Sequence, residues 1–287
     1  HDMWVFTGGC HYDGGCGRYG EDCGCCPILK SGNKKDQTHR NLQKKEALYS
    51  KQNITFVALS QWELECAQNS HALQGGNVIK IWNPLDVNVF QPLDRLKLKF
   101  QKMNTTKKVI LFGASRDFED EVKGFRYLVE ALKRLDKTKY CAVCFGGSEK
   151  TNQQFIDGFE INYLGQIEDE NELAEWYNIA DVFVAPSLQE TFCYTVCEAL
   201  ACGTPVAAFA IGGILDQVVH QHNGYLAEVQ NSEDLARGIE YCVNNRDKLT
   251  TNAREGVLKK NTYDLVGKEY LALCKGILNM EKEDKNV

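Results

Sequence analysis

From Lys107 onward, short apolar runs alternate with amphipathic stretches, and that alternation leaves few folds open. "KKVILFGAS" reads as a buried strand, and "KGFRYLVEALKRL" as a helix turning Phe125, Leu128, Val129, Leu132 and Leu135 inward. "YCAVCFGG", "INYLGQI", "DVFVAPS", "PVAAFA" and "GYLAEV" read as further strands, separated by helical "ENELAEWYNIA", "YTVCEALACG" and "SEDLARGIEYCVNN". Apolar strands joined by helices imply a parallel sheet covered on both faces, a doubly wound α/β domain. Such a sheet binds its ligand outside the carboxyl ends of its strands. The front is less regular: "ITFVALS" (54–60) reads as a strand, "QWELECAQNS" as a helix, and "NVIKIWNPLDVNVFQP" follows. Asn83-Pro84 and Pro92 read as turn and linker punctuation, which puts a domain boundary near 92–107. The final helices span roughly 246–281.

The chain has 287 residues, 43% apolar and 25% charged, which suits two soluble domains. No apolar run approaches the roughly 18 residues of a membrane span, and no charged-then-apolar leader opens the chain. A cytoplasmic location is expected. The net charge of −6 argues against a nucleic-acid partner, whose phosphates demand a positive surplus. Between Lys30 and Lys51, however, seven basic residues (Lys30, Lys34, Lys35, Arg40, Lys44, Lys45, Lys51) face only Asp36 and Glu46. This segment reads either as a solvated helix face or as a peripheral contact, at the inner membrane face, with anionic lipid or a phosphate-bearing acceptor. The chain opens in mid-phrase on His1, so an upstream piece is expected to be missing.

"PSLQETFCYTVCEALACGTPV" (186–206) carries Glu190 and Glu198 across a strand-to-helix turn. Eight residues of unbroken helix would turn the second side chain about 80° from the first. With Glu190 on the loop and the helix starting near Tyr194, both acids can look into one cleft from different heights. Thr191 to Thr195 would then offer free amides at a helix N-terminus, a ready phosphate site. Carboxylates for hydroxyls and amides for phosphate suggest a nucleotide-sugar.

"ETFCYTVCEALACGTPVAAFAIGGILDQV", "ILFGASRDFEDEVKGF", "IWNPLDVNVF", "VALSQW" and "HDMWVFTGGCHY" together resemble retaining GT-B glycosyltransferases of the Glu-x7-Glu type, in particular bacterial enzymes of surface-polysaccharide synthesis. The resemblance implies two Rossmann-like doubly wound domains, the first incomplete here. Residues 1–92 would be the latter part of the N-terminal acceptor-side domain and 93–262 the nucleotide-sugar-binding domain. Residues 263–287 would form a C-terminal helix that packs back on the N-terminal domain. The resemblance also assigns roles. Glu198 resembles the carboxylate that accepts from ribose hydroxyls, and Glu190 the one that holds the transferred sugar beside its anomeric carbon. A helix-capping role for Glu198 is the bland alternative. Lys123 resembles the lysine that meets the donor diphosphate; a surface lysine lying along apolar atoms is the alternative. Arg116 stands for the arginine preceding it, at a longer spacing than usual, with Ser115 competing for the place. Thr191, Phe192, Cys193 and Tyr194 would supply backbone amides. The family commonly has glycine where Cys193 stands, so either the backbone is not left-handed there or the loop is displaced. Gly165 to Ile167 resemble the edge that meets the nucleobase, and Gly212 and Gly213 the loop reaching the sugar. His1 resembles a histidine facing the donor sugar from the other domain.

The reaction implied is transfer of a sugar from a nucleoside-diphosphate-sugar to a hydroxyl of a glycan or lipid-linked acceptor, with retention and without a catalytic metal. Front-face departure and attack competes with a covalent intermediate on Glu190. A non-catalytic sugar-nucleotide-binding protein and a GT-B epimerase or phosphorylase are the rival functions. Thirteen cysteines remain. Cys141 and Cys144 fall on opposite faces of a strand and read as core. In "GGCHYDGGCGRYGEDCGCCP", Cys10, Cys16, Cys23 and Cys26 read as a structural zinc site, as unliganded thiols or as disulfides.

Overall fold

The computed structural model describes residues 1–114, 121–147, 154–156 and 158–284, and the chain divides into two compact units, His1–Asn83 and Pro84–Val287. The division falls at Asn83-Pro84, upstream of the expected boundary. Residues 84–92 belong with the second unit because they are bonded into it: the Leu85 amide donates to Asn261 O at 2.7 Å, and the Arg254 guanidinium donates to the carbonyls of Val87 and Phe90.

The first unit contains α1 (Gln37–Tyr49), β1 (Thr55–Ala58), α2 (Gln61–Gln68) and β2 (Asn77–Lys80), with β1 and β2 parallel. Two capping devices start its helices. Asp36 accepts from Thr38 N and His39 N, and Ser60 accepts from Glu63 N while the Glu63 carboxylate accepts from Leu59 N at 2.7 Å. The basic segment is not all solvated. Lys45 turns inward, donating to Thr7 O at 3.0 Å and lying 3.8 Å from the Trp4 ring centroid, and burial lowers its pKa.

The second unit is built on a seven-stranded sheet. In chain order it contains α3 (Arg95–Lys102), β3 (Lys108–Ala114), α4 (Phe125–Leu132), β4 (Tyr140–Gly146), β5 (Gln154–Ile156), β6 (Phe159–Gly165), α5 (Glu170–Ile179), β7 (Val182–Ala185), α6 (Tyr194–Ala201), β8 (Val206–Phe209), β9 (Gly224–Ala227), α7 (Ser232–Asn244), α8 (Arg246–Leu258) and α9 (Tyr263–Asp284). The strand order is β5-β6-β4-β3-β7-β8-β9, all parallel except the edge strand β5. Val109, Ile110, Leu111 and Phe112 are all fully buried, as a strand covered on both faces requires. Ile110 and Phe112 share one core cluster with Leu128 and Leu132 of α4 and with Leu235 and Ile239 of α7. Cys141 and Cys144 are both buried, as expected of core thiols.

Two elements were not expected. β5 pairs antiparallel outside β6. The stretch read as linker forms α3, which is tied to the sheet through Asp181, a residue 1% exposed. That carboxylate accepts from Val109 N at 2.8 Å and pairs with Arg95, with Lys108 at 3.5 Å and with Lys99 at 3.7 Å. A buried carboxylate needs such partners to stay charged.

Candidate active site

β3 is the first strand of the sheet, with β4 and β6 following on one side of it and β7, β8 and β9 on the other, so the order reverses between β3 and β7. That is the switch point where doubly wound sheets form a crevice. A cavity of about 190 Å³ lies there, lined among others by Gly113, Lys123, Pro186, Glu190, Cys193 and Thr195.

Four backbone contacts fix its two charged groups. The Leu188 amide donates to Val122 O at 2.7 Å, tying the loop after β7 to the 3-10 turn Glu121–Lys123. Gly124, at φ +63°, lies so close to this loop that an added Cβ would come within 1.9 Å of Pro186 O. Only glycine tolerates both the left-handed backbone and the approach. On the far side, Gly213 N donates to Glu190 O at 2.9 Å, and a Cβ on Gly212 would fall 2.1 Å from the same oxygen. The glycine pair thus forms the bed on which Glu190 and Thr191 rest. Gln217, which the sequence did not single out, adds a brace: its amide donates to the carbonyls of Phe192 and Cys193.

So held, Lys123 Nζ stands 2.7 Å from Glu190 Oε1, with Glu190 7% exposed. α6 begins at Tyr194, as expected, and the side chain of its N-cap, Cys193, makes no capping hydrogen bond with its first-turn amides. Cys193 has φ +70°, so the backbone is left-handed there after all, a conformation that favours glycine but is here adopted by a residue with a side chain. Burial pushes its thiol up to about 12, with the Glu190 charge adding to the effect, so it stays neutral. The Thr191 and Phe192 side chains are buried, Phe192 edge-on to Tyr194 at 5.2 Å. An ammonium, a helix N-terminus and a carboxylate in one cavity can hold an anion next to a hydroxyl-bearing group.

Glu198 is not among the residues lining that cavity. It is half-buried one helical stretch further on, its Oε2 accepting from Tyr177 OH at 2.7 Å. Burial pushes its carboxyl up to about 7; the Tyr177 hydrogen bond works against that and the nearby Glu170 charge adds to it. Tyr177 was missed because its position only marks the buried face of a helix, and the meeting with an acid 21 residues later is a tertiary fact. Gly165, at φ +69°, ends β6, so Gly165 to Ile167 follow the same carboxyl edge two strands from β3. Arg116 and Ser115 lie outside the described residues.

His1 belongs to the first unit, where it helps line a separate cavity of about 220 Å³ with Asp2, Phe6 and Glu63. In the cysteine-rich loop, burial pushes Cys10 up to about 11, with Cys26, Cys16 and Cys23 adding to it. Among the described residues, however, no group of three or more His, Cys, Asp or Glu side chains is arranged to hold a metal ion. Cys10, Cys16, Cys23 and Cys26, for which a structural zinc site was one of three readings, are not joined in disulfides. The loop is braced by Cys26 N donating to Asp36 Oδ2 at 2.9 Å and Cys25 N donating to Asn33 O at 2.8 Å. Among the described residues no helix is long and apolar enough to cross a membrane.

The chain is similar to known proteins across both units. An uncharacterized glycosyltransferase of Methanocaldococcus jannaschii is 26% identical over 197 residues, 64% of this chain and 50% of that protein. The N,N'-diacetylbacillosaminyl-diphospho-undecaprenol alpha-1,3-N-acetylgalactosaminyltransferase of Campylobacter jejuni is 26% identical over 192 residues, 64% of this chain and 49% of that one. The chain thus spans about half the length of these curated relatives. Among solved structures, the sucrose-phosphate synthase of Thermosynechococcus elongatus superposes with a TM-score of 0.72 at 24% identity, covering 88% of this chain and 65% of that one. The Anabaena protein HepE, solved with UDP and glucose, gives 0.68 at 20% identity, covering 82% and 67%. These likenesses show the Rossmann-like GT-B fold. The profile of one family, the glycosyl transferases group 1, matches residues 94–257, more than half of the chain, and to that family this protein belongs.

Proposed function

We propose that this chain carries the donor-binding domain of a retaining glycosyltransferase of polysaccharide synthesis. It would move a sugar from a nucleoside-diphosphate-sugar to a hydroxyl of a glycan or lipid-linked acceptor at the cytoplasmic side of a membrane. The observation that carries the reading is the Lys123–Glu190 pair, 2.7 Å apart in the cavity at the switch point, beside the N-terminus of α6. Lys123 and the α6 amides would receive the diphosphate, so that charge building on the leaving group is met without a catalytic metal. Glu190 would hold the sugar hydroxyls and face the positive charge growing at the anomeric carbon. In the front-face route the anomeric C–O bond breaks with its electron pair passing to the diphosphate. The acceptor oxygen bonds to the same face, and the acceptor proton passes to a diphosphate oxygen. Glu198 would accept from the ribose hydroxyls. The lipid-linked acceptor named for the Campylobacter relative and the UDP bound by HepE support the substrate classes.

The test is a thermal-shift screen of the full chain against UDP-, GDP- and ADP-sugars, followed by release of nucleotide from whichever binds. Donor hydrolysis that persists in EDTA and falls by about a hundredfold or more in Glu190→Ala is expected. The anomeric configuration of the product, read by NMR, tests retention. Binding without turnover would favour a sugar-nucleotide-binding protein, and conversion of the nucleotide-sugar without an acceptor would favour an epimerase.

A further inference from the structure

Tyr177 is fully buried on α5, and three rings hold it: Phe183 at 5.4 Å, Phe145 at 5.9 Å and Phe90 at 6.2 Å between centroids, all edge-on. Its backbone carbonyl accepts from Thr204 Oγ1 at 2.6 Å. The phenol therefore cannot swing, and its one polar atom is spent on Glu198 Oε2. Among the described residues the Glu198 side chain has no other hydrogen-bond partner, and its Oε1 is not among the buried atoms left without one. Oε1 is therefore open. Phe145 and Phe183 also line the cavity that holds Glu190, so one aromatic cluster supports both acids.

We propose that Tyr177 is a positioning residue of the nucleotide site, its hydroxyl fixing one oxygen of Glu198 so that the other is presented to a ligand diol. The inference rests on the reading of Glu198 as the ribose acceptor. A carboxylate recognises a diol only while ionised, because a protonated one offers fewer lone pairs. The groups around Glu198 leave it poised. Glu170 on α5 disfavours its charge, and the Tyr177 hydrogen bond favours it. Cys193, Cys197 and Cys202 on and beside α6 are raised by burial and stay neutral. Arg254 of α8 acts on Cys202, Lys260 acts on Cys197, and Tyr194 is itself raised by burial. Tyr177 thus sets the direction of the acid and opposes the burial that raises its carboxyl.

The test is calorimetric binding of UDP, GDP and ADP to the full chain from pH 6 to 8.5, in wild type, Tyr177→Phe and Glu198→Gln. The wild-type affinity for the best nucleotide is expected to fall about tenfold from pH 8 to 6, as a carboxyl titrating near 7 takes up its proton. Tyr177→Phe removes the bond that lowers this pKa, so the profile moves to higher pH. Its affinity is about tenfold weaker at pH 7, the loss typical of a hydrogen bond to a charged group, and recovers toward wild type at pH 8.5. Glu198→Gln is expected to be flat with pH. In wild-type chain labelled at tyrosine Cζ, the Tyr177 NMR signal should follow the Glu198 ionisation and lose that step when nucleotide is bound, a readout that needs no folded Tyr177 variant. A Tyr177→Phe loss equal at every pH, no loss at all, or a Tyr177 signal indifferent to Glu198→Gln overturns the inference while leaving the donor reading intact. Absence of binding by wild type to all three nucleotides overturns that reading, and the inference with it.

Discussion

Gly124 is the residue on which the placing of Lys123 depends, and replacing it by alanine tests that directly. Its φ of +63° is one source of cost, and the approach to Pro186 O is another. The two are separable within the same unit, because Gly158 has φ +78° and, among the described residues, the nearest atom to an added Cβ is Lys137 Nζ at 3.5 Å. Gly158→Ala should therefore lose only the left-handed term, about 1–2 kcal/mol. In Gly124→Ala the new Cβ would lie 1.9 Å from a carbonyl oxygen, where real Cβ atoms keep at least 3.0 Å, so the Pro186–Leu188 loop must retreat by about 1 Å. That retreat strains the Leu188–Val122 bond and adds about 1–3 kcal/mol, as overpacking does. The total is about 2–5 kcal/mol. Hydrogen exchange at the β3 and β7 amides reads the opening free energy of this unit alone. Nucleotide binding should weaken in Gly124→Ala and be unchanged in Gly158→Ala, since only the first moves Lys123 against Glu190. Equal losses of stability in the two variants would refute the argument that the close approach is what demands glycine.

Cys193→Gly removes a side chain from a left-handed position and a Cβ from the cavity beside Lys123. The unit should keep its stability within about 1 kcal/mol, because relief of the backbone offsets the lost burial, while nucleotide affinity rises by roughly fivefold, measured by calorimetry. Weaker binding would show that the thiol assists the ligand. Asp36→Ala should destabilise the first unit by about 1–2 kcal/mol in urea unfolding, since it removes the α1 cap and the Cys26 amide's partner. The hydrogen bond from Thr38 leads in holding the Asp36 carboxyl below the usual range. Its contribution is therefore present above the unfolded value of 3.8 and lost as pH falls through the lower folded one. Acid unfolding of the variant should be shallower than that of wild type.

The second unit was largely legible because its strands are apolar throughout and its helices carry a one-sided stripe, two patterns that do not imitate each other. α3 escaped because Leu96, Leu98 and Phe100 alternate with period two, hiding the helical repeat. In the structure Leu96 and Phe100 are 75% exposed and the helix is held by its cations around Asp181. No pattern of apolar residues announces an element fixed that way. β5 is three residues long, too short for any periodicity. The boundary was read near 92–107 rather than at Asn83-Pro84 because Pro84 and Pro92 are equal as punctuation. What separates them is the Arg254 guanidinium, 164 and 167 residues on in sequence from Phe90 and Val87, whose carbonyls it binds. In the site, the acids and the lysine were readable as residue types, but what holds them was not. Gly124 on Pro186, Gly212 on Glu190 and Gln217 on Phe192 are contacts between loops distant in sequence.

The two acids of the Glu-x7-Glu segment are treated differently by the fold, and the difference argues for different work. Glu190 sits on a loop clamped by backbone contacts and faces an ammonium at 2.7 Å, so its charge is compensated before any ligand arrives. Glu198 sits on a helix where burial pushes its carboxyl up to about 7, the bond from a neutral phenol works against that, and Glu170 adds to it. An acid that must stay charged through a reaction needs the first setting, because growing positive charge at a sugar carbon is met only by a group that does not take up a proton. An acid that recognises hydroxyls can accept the second, since a ligand donating two hydrogen bonds itself favours the charged form. In Lys123→Met the Glu190 carboxylate loses its cation in a buried place, so donor hydrolysis at saturating nucleotide-sugar should fall further than the affinity for free nucleotide does. A loss of rate no larger than the loss of nucleotide affinity would mean that the ammonium serves the diphosphate alone.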